Sequence, residues 1–489
     1  MEFLKTWIGA AISSAVLLCT LCDGRVASAQ RAGSSSILPR DTLAYVRITN
    51  VPEFAQKFMN TGTGRMLKDP QMQPLVQTLY GQASDVLGEV KEKIGLSLDE
   101  LLKIPAGEIA FATIAVTRVD PDGKAAPQPG TPALALIIDT GANAANARKL
   151  LETIEPQVRN LRKREETIEG QKVVVFETNG PEIHLFERDG TFVFCTVAET
   201  TGELIKNWNG REKDSFNDNP RYAAVMAACK TKNADPNLVW YVEPIKLVRA
   251  SLAGNFQAQV GLAVLPALGL DGLQAVGGTL AFDVDEFDYL GHAHVLLDTP
   301  RSGVIDVLKL GHGDLKPQPW VANDVASYMT LYWDFRDSFA NLERLIDSFQ
   351  GPGKTAENIK RNISDKLEVD VITEILPLLA GRVTMLTRMP KAGDVLPKAN
   401  AENAGGNVRL TATFGRQAEM LFAVDLTDVK KAEGILDRLL NKPDIGGKVE
   451  KKSWAGHTYY AIIPRSRPIC SPTCRRDRVP VSRWRTIVC

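Results

Sequence analysis

The sequence predicts an α+β protein in which antiparallel sheets are covered by helices. Three observations lead there. Strand-length apolar runs alternate with amphipathic helical stretches. Turn pairs such as Asn179-Gly180 and Asp189-Gly190 join neighbouring strands as hairpins, not as helical crossovers. The order strand, helix, strand, strand, helix also recurs along the 489 residues. Asp41 and Tyr45 match Asp324 and Tyr328 at an offset of 283. Glu100, Leu102, Ala106, Gly107 and Thr113 match Glu374, Leu376, Ala380, Gly381 and Thr387 at 274. Asp139, Leu150 and Gly170 match Asp425, Leu436 and Gly456 at 286. Such repetition reports a reused packing unit, whereas catalytic residues sit in one place.

Residues 1–29 read as a secretory signal peptide. Lys5 supplies the positive start, residues 7–21 carry no charge, and Ala27-Ser28-Ala29 offers small residues before a cleavage at Gln30. The run is shorter than the roughly 20 apolar residues that span a bilayer. Leucines precede Cys19 and Cys22, where a lipidation site wants a small residue. No later segment is long enough to span, since 260–270 is broken by Pro266. The mature chain is therefore expected to be exported, to the periplasm or cell envelope.

The first module occupies 30–215. After Gly33-Ser34-Ser35-Ser36, residues 43–49 read as a strand and 54–104 as two or three helices, broken near Gly62 and Asp69-Pro70. Ser97 followed by Glu100 fits a capping box. Strands follow at 108–116 and 133–138, a helix at 144–161, strands at 172–177, 183–187 and 192–197, and a short helix at 203–208. A weaker copy spans 216–315, with a strand at 238–242, a mostly helical 245–265, strands around Gly278 and His294, and a helix at 304–310. The third copy, 316–464, opens at 326–332. Residues 420–463 align without a gap to 134–177.

Residues 465–489 form a basic, cysteine-containing tail without apolar periodicity. The reading adopted is a foreign ending, such as a shifted reading frame; the competing one is a tail that binds an acidic surface. The tail holds seven arginines against one aspartate, +6. The whole chain is neutral and residues 1–29 balance, so residues 30–464 carry −6. A mildly acidic body offers no footprint for nucleic acid. Of seven cysteines, only Cys195 and Cys229 lie in the body. They are read either as a disulfide or as two buried thiols. Cys470 and Cys474 have no second pair and no nearby histidine, so no zinc site is assigned.

Asp139, Asp298 and Asp425 end equivalent strands and are read as caps for the helices that follow, not as metal or acid–base groups. His292 and His294 share one face of a strand and are the strongest metal suspects, with His312 or Asp314 as further ligands. The reading preferred for them is an exposed hairpin face. Trp320, Tyr328, Tyr332 and Trp333 could line a sugar or ligand surface, but core or inter-module packing is the reading preferred for them. The sequence contains no GxSxG elbow and no GxxxxGK[ST] loop, and Gly62-Thr63-Gly64 lacks the third glycine of a dinucleotide fingerprint. No catalytic or metal residue and no cofactor are therefore assigned. Long irregular excursions at 120–132 (with Pro121, Gly123, Pro127, Pro129, Gly130 and Pro132) and 390–407 recur at one place in two modules; they are read either as tolerated surface insertions, the reading preferred, or as binding loops on a rigid scaffold.

The runs Ile37-Leu38-Pro39-Arg40-Asp41-Thr42-Leu43-Ala44-Tyr45-Val46 and Gly64-Arg65-Met66-Leu67-Lys68-Asp69-Pro70, with Asp324-Val325-Ala326-Ser327-Tyr328, resemble uncharacterised exported bacterial proteins of the planctomycete type that share a domain of unknown function. The resemblance reaches to about Ile463 and excludes the tail. It implies export and the repeated fold and brings no site residues. The expected function is an exported, non-enzymatic binding or scaffold protein of the cell envelope, displaying its paired loops. The alternatives are a periplasmic carrier of a lipid-like apolar ligand and a hydrolase without a recognisable motif. The partner is an unknown protein or an apolar ligand.

Overall fold

The computed structural model describes residues 32–72, 104–119, 125–127, 132–157, 161–177, 180–209, 214–231, 235–253, 255–388, 419–440, 449–454 and 457–462. The signal-peptide run, the Ser97–Glu100 pair, most of the 120–132 excursion, all of 390–407 and the basic tail lie outside these residues. The fold is mixed α+β with antiparallel sheets and packed helices, as expected. Two compact units divide at Arg301 and Ser302. No described helix is long and apolar enough to cross a membrane.

In the first unit the strands are β1 (Thr42–Ile48), β2 (Ile109–Ile114), β3 (Thr117–Val119), β4 (Ala125–Pro127), β5 (Ala133–Asp139), β6 (Arg162–Ile168), β7 (Gln171–Glu177), β8 (Ile183–Arg188), β9 (Thr191–Cys195), β10 (Leu238–Val242), β11 (Leu273–Val284) and β12 (Phe287–Leu297). Ten of them form one sheet in the order β12-β11-β10-β1-β2-β5-β9-β8-β7-β6, and β3-β4 is a separate ribbon. The first and middle segments thus share a single sheet, joined where β1 pairs antiparallel with β10 (Tyr45 opposite Tyr241). Tight turns set the hairpin registers. Asp189 and Gly190 (φ 51° and 72°) both adopt the left-handed conformation that a two-residue hairpin turn demands.

Three elements differ from the sequence reading. The helix expected over 144–161 ends earlier: Ala144–Ile154 is helical, and a single turn, Glu155–Gln157, follows. Residues 162–168 then form an unexpected edge strand, β6. Its charge-rich sequence suits an edge, where charged side chains discourage pairing with other chains. Arg164 fans out to Glu166, Glu177 and Glu182 at 2.6, 2.8 and 2.9 Å. The span 245–265 is not one helix but two, Pro244–Ser251 and Phe256–Leu262, the second capped by Asn255.

Strand side chains alternate between faces. The face bearing Tyr45, Ala112, Ile137, Val193 and Tyr241 is the main core. Helices Ser34–Ile37, Ala198–Lys206 and Pro220–Ala228 cover it with Ile37, Leu204 and Val225. Tyr45, Phe216, Tyr222 and Tyr241 interlock there, with the Phe216 and Tyr222 rings stacked at 4.0 Å. On the opposite face, helix Val51–Asn60 packs Phe54 and Phe58 edge-on to Phe282 near one end of the strands. Helix Ala144–Ile154 covers Leu185 and Phe192 towards the β6 side.

The second unit contains a three-stranded sheet, β13 (Ser327–Tyr332), β14 (Leu379–Arg388) and β15 (Glu419–Leu426), and a hairpin, β16 (Val449–Trp454) with β17 (His457–Ile462). The order of first, second and third strand is the same in β1-β2-β5, β10-β11-β12 and β13-β14-β15. Asp334 caps helix Phe335–Gln350 by accepting from Asp337 N at 3.0 Å. Val369, Leu378 and Ile435 form this unit's small core.

Candidate functional site

The feature most able to bind is a row of apolar side chains running across the ten-stranded sheet on the face opposite Tyr45. Direct cross-strand pairing places Ala293, Gly278, Trp240, Val46, Phe111, Leu136 and Phe194 in one line over seven strands. Helix Val51–Asn60 packs alongside it, over Ile48, Leu238 and Leu280, and the cluster under helix Ala144–Ile154 reaches Phe194 at its β9 end. Val46 is 46% exposed. Trp240, Phe111, Leu136 and Phe194 are half-buried. Gly278 makes room for the Trp240 indole, because a Cβ there would fall 2.8 Å from Trp240 Nε1. In the second unit direct cross-strand pairing aligns Met329, Met385 and Phe422 in a row across β13, β14 and β15. There Met329 and Phe422 are 48% and 62% exposed. Two sheets thus carry rows of apolar side chains, and monomeric proteins seldom leave such surface open without a use for it.

The buried charges serve the opposite face. Glu108 accepts from Ser34 N at 3.1 and 3.2 Å and from Ser34 Oγ, and lies 2.6 Å from Arg47 Nε. Ser34 Oγ is also 2.7 Å from the Tyr45 hydroxyl, whose ionisation burial pushes far above its ordinary value. This cluster holds the Ser34–Ile37 helix on the core. Glu243, also buried, receives Tyr241, Asn219 and Arg221 at 3.0, 3.2 and 3.1 Å and pairs with Lys246 at 2.8 Å. Glu108 thus ties Ser34 to Arg47, and Glu243 ties Tyr241, Asn219, Arg221 and Lys246 together.

The residues singled out in the sequence do not converge. Asp139 accepts from Gly141 N at 3.1 Å but is not the expected cap: Thr140 and Asn143 hold the N-cap positions of the short turn and of helix Ala144–Ile154, and neither start is capped by a side chain. Asp298 and Asp425 instead accept from the side chains of Gln274 and Gln318 at 2.8 and 3.0 Å. Asp428 is the residue that accepts from the last helix, at Lys431 N. His292 and His294 are half-buried on one face of edge strand β12, and His292 Nδ1 is 3.5 Å from Thr231 Oγ1. His312 and Asp314 belong to the other compact unit. Among the described residues no group of three or more His, Cys, Asp or Glu is placed to hold a metal. Tyr328 and Tyr332 donate to the carbonyls of Leu315 and Asp314, both at 3.2 Å, so they pin the 314–316 segment to the sheet. Trp333 donates to Ser338 and stacks on Phe335, while Trp320 donates to Gln318.

Cys195 and Cys229 are free, buried thiols, and burial raises the ionisation of both above the ordinary value. His184 is the direct cross-strand neighbour of Cys195 and is 2% exposed. Neither of its ring nitrogens has a hydrogen-bond partner among the described residues. A thiol kept neutral beside a sealed imidazole is not a nucleophile in waiting.

The apolar row was hidden in the sequence because β1 reads as a continuous apolar run, Leu43-Ala44-Tyr45-Val46. Such a run says that both faces are apolar and not which one is open. Compared with known protein families, curated proteins and solved structures, the chain matches none.

Proposed function

We propose that this chain is an exported binding protein that carries an extended apolar ligand, such as a lipid acyl chain, on the open face of its ten-stranded sheet. The observation that carries this reading is the row Trp240, Val46, Phe111, Leu136 and Phe194, in which Val46 is 46% exposed and the other four are half-buried. Five neighbouring strands span about 19 Å, within the reach of a long acyl chain. Eight methylenes laid on that row would contribute about 6 kcal/mol of apolar burial. That corresponds to a dissociation constant on the order of tens of micromolar before ordering costs are counted.

The test is saturation binding of a fluorescent long-chain fatty acid, with Trp240→Phe used to assign the quenched tryptophan. Val46→Asp places a carboxylate in the middle of the row at a site already half open to water. It should weaken binding at least tenfold and leave the melting temperature within a few degrees. Absence of saturable binding, or equal binding by Val46→Asp, would end this reading. The scaffold reading rests on the loops at 120–132 and 390–407, most of which fall outside the described residues.

A further inference from the structure

We infer that a second copy of this chain pairs with the outer edge of β13, strand to identical strand, so that the second units of two copies share one continuous sheet. The inference concerns the second unit and does not depend on the ligand face.

The second unit matches the first in register as well as in strand order. Tyr45, Ala112 and Ala135 lie in one cross-strand row of β1, β2 and β5. Tyr328, Leu386 and Leu421 lie in one row of β13, β14 and β15. The offsets between these rows are 283, 274 and 286, the same three that relate the two stretches of sequence. What differs is the outer edge of the opening strand. β1 is paired there with β10, whereas β13 ends its sheet among the described residues.

The β1–β10 junction says what fits such an edge. β10 itself opens the segment β10-β11-β12, so two opening strands meet antiparallel, with Tyr45 opposite Tyr241. Glu243 N donates to Leu43 O and Thr49 N to Asn237 O, which puts Tyr45 and Tyr241 among the pairs that exchange both backbone bonds. Antiparallel pairing of like strands is a two-fold arrangement, and it closes at two members. The strand that repeats this junction on β13 is β13 of a second copy. The result has the order β15-β14-β13 continued by β13-β14-β15, as β5-β2-β1 is continued by β10-β11-β12.

The backbone of β13 is set for that contact. Trp333 N donates inward to Gly381 O, and Tyr332 O accepts from Gly311 N on the outer side. Alternation then directs the N–H and C=O of Tyr328 and Thr330 outward, at the positions that match Tyr45 and Arg47. Edges that must stay single are blunted by charge or proline. Edge strand β6 carries the charged run Arg162-Lys163-Arg164-Glu165-Glu166, but residues 325–331 hold neither a charge nor a proline. Pairing centred on Tyr328 sets Ser327 against Met329 and Val325 against Leu331 of the second copy, with no like charges opposed. It also gives Met329, 48% exposed, a neighbour across the junction.

The experiment is sedimentation equilibrium of the exported full-length chain over a range of micromolar concentrations. The wild-type chain should show a monomer–dimer equilibrium. A Ser327→Lys, Met329→Lys variant sets lysines against each other twice across the two-fold and should weaken the dimer roughly tenfold or more. Both side chains are exposed, so its circular dichroism should match that of the wild type. A Ser327→Cys, Met329→Cys variant tests the register. Directly opposed residues of this kind have Cα atoms about 4.5 Å apart, within reach of a disulfide. This variant should form a reducible dimer beyond any seen for the wild type or for Ser327→Cys alone. A wild-type chain that stays monomeric throughout, a lysine variant that dimerises equally well, or a cysteine variant without the added dimer would overturn the inference.

Discussion

Replacing Glu108 with alanine should loosen the amino-terminal helix more than any other single change of a charged side chain in the first unit. Glu108 receives the Ser34 amide, the Ser34 hydroxyl and Arg47, and Ser34 is completely buried. Without the carboxylate, the Ser34 N–H faces neither water nor another acceptor, at a cost of about 1–3 kcal/mol. Arg47 loses its ion pair. Deleting one member of a buried pair costs about 3–5 kcal/mol, and Arg47, whose side chain is one quarter exposed, recovers part of this by hydration. The expected loss is therefore about 3–4 kcal/mol. Glu108→Gln keeps an acceptor for Ser34 and should lose only about half as much. Hydrogen exchange of the β1 and β2 amides gives the value for this unit alone, which a global melt of a two-unit chain does not. The same change should expose the Ile37-Leu38 segment to proteolysis, since both residues are fully buried only while Ser34 is held. A loss below about 1 kcal/mol, or identical effects of alanine and glutamine, would refute the assignment of Glu108 as the tie.

Phe282→Ala should cost about 3–5 kcal/mol, because its ring meets Phe54 and Phe58 edge-on at 5.1 and 5.6 Å; hydrogen exchange in β11 measures it, and a loss under 1 kcal/mol would contradict it. His184→Leu should be neutral or stabilising by up to about 2 kcal/mol, since both ring nitrogens are sealed from partners and Glu182 Oε2 is 3.8 Å away; a clear drop in the unfolding midpoint would reveal a hydrogen bond the structure does not contain. The Asp347 carboxyl is held below its ordinary value chiefly by the Thr355 amide at 2.8 Å, joined by Gly353 N at 2.6 Å. Its contribution is complete above the ordinary aspartate range and lost as pH falls through the lowered folded value. Exchange at the Gly353 and Thr355 amides should accordingly gain an acid-dependent opening that Asp347→Asn abolishes, and an unchanged pH profile in that variant would refute the link.

Much of the fold was legible because local chemistry and tertiary structure agree. The apolar runs at β1, β2, β5, β9 and β10 became strands, and Asp189-Gly190 became a hairpin turn with both residues left-handed. Thr61, just ahead of Gly62, accepts from Gly64 N at 3.1 Å and starts a new helix where a break was expected. Edge strand β6 was missed because Arg162-Lys163-Arg164-Glu165-Glu166 lacks the apolar alternation by which half-buried strands are recognised; its place is set by pairing with β7 and by the Arg164 ion pairs. The joining of two segments into one sheet was equally invisible, since it depends on β1 meeting β10 nearly two hundred residues away. The site suffered most. Histidines and aspartates draw the eye in a sequence, but here they cap, pair or line an edge. The row from Trp240 to Phe194 uses ordinary apolar residues whose openness only register and exposure reveal.

The most direct test of the central claim is native mass spectrometry of the chain recovered from the exporting compartment, with organic extraction of whatever accompanies it. The account predicts a stoichiometric apolar adduct that is lost in Val46→Asp while the unadducted protein stays folded. A clean protein mass for the wild-type chain, with no extractable apolar compound, would contradict it.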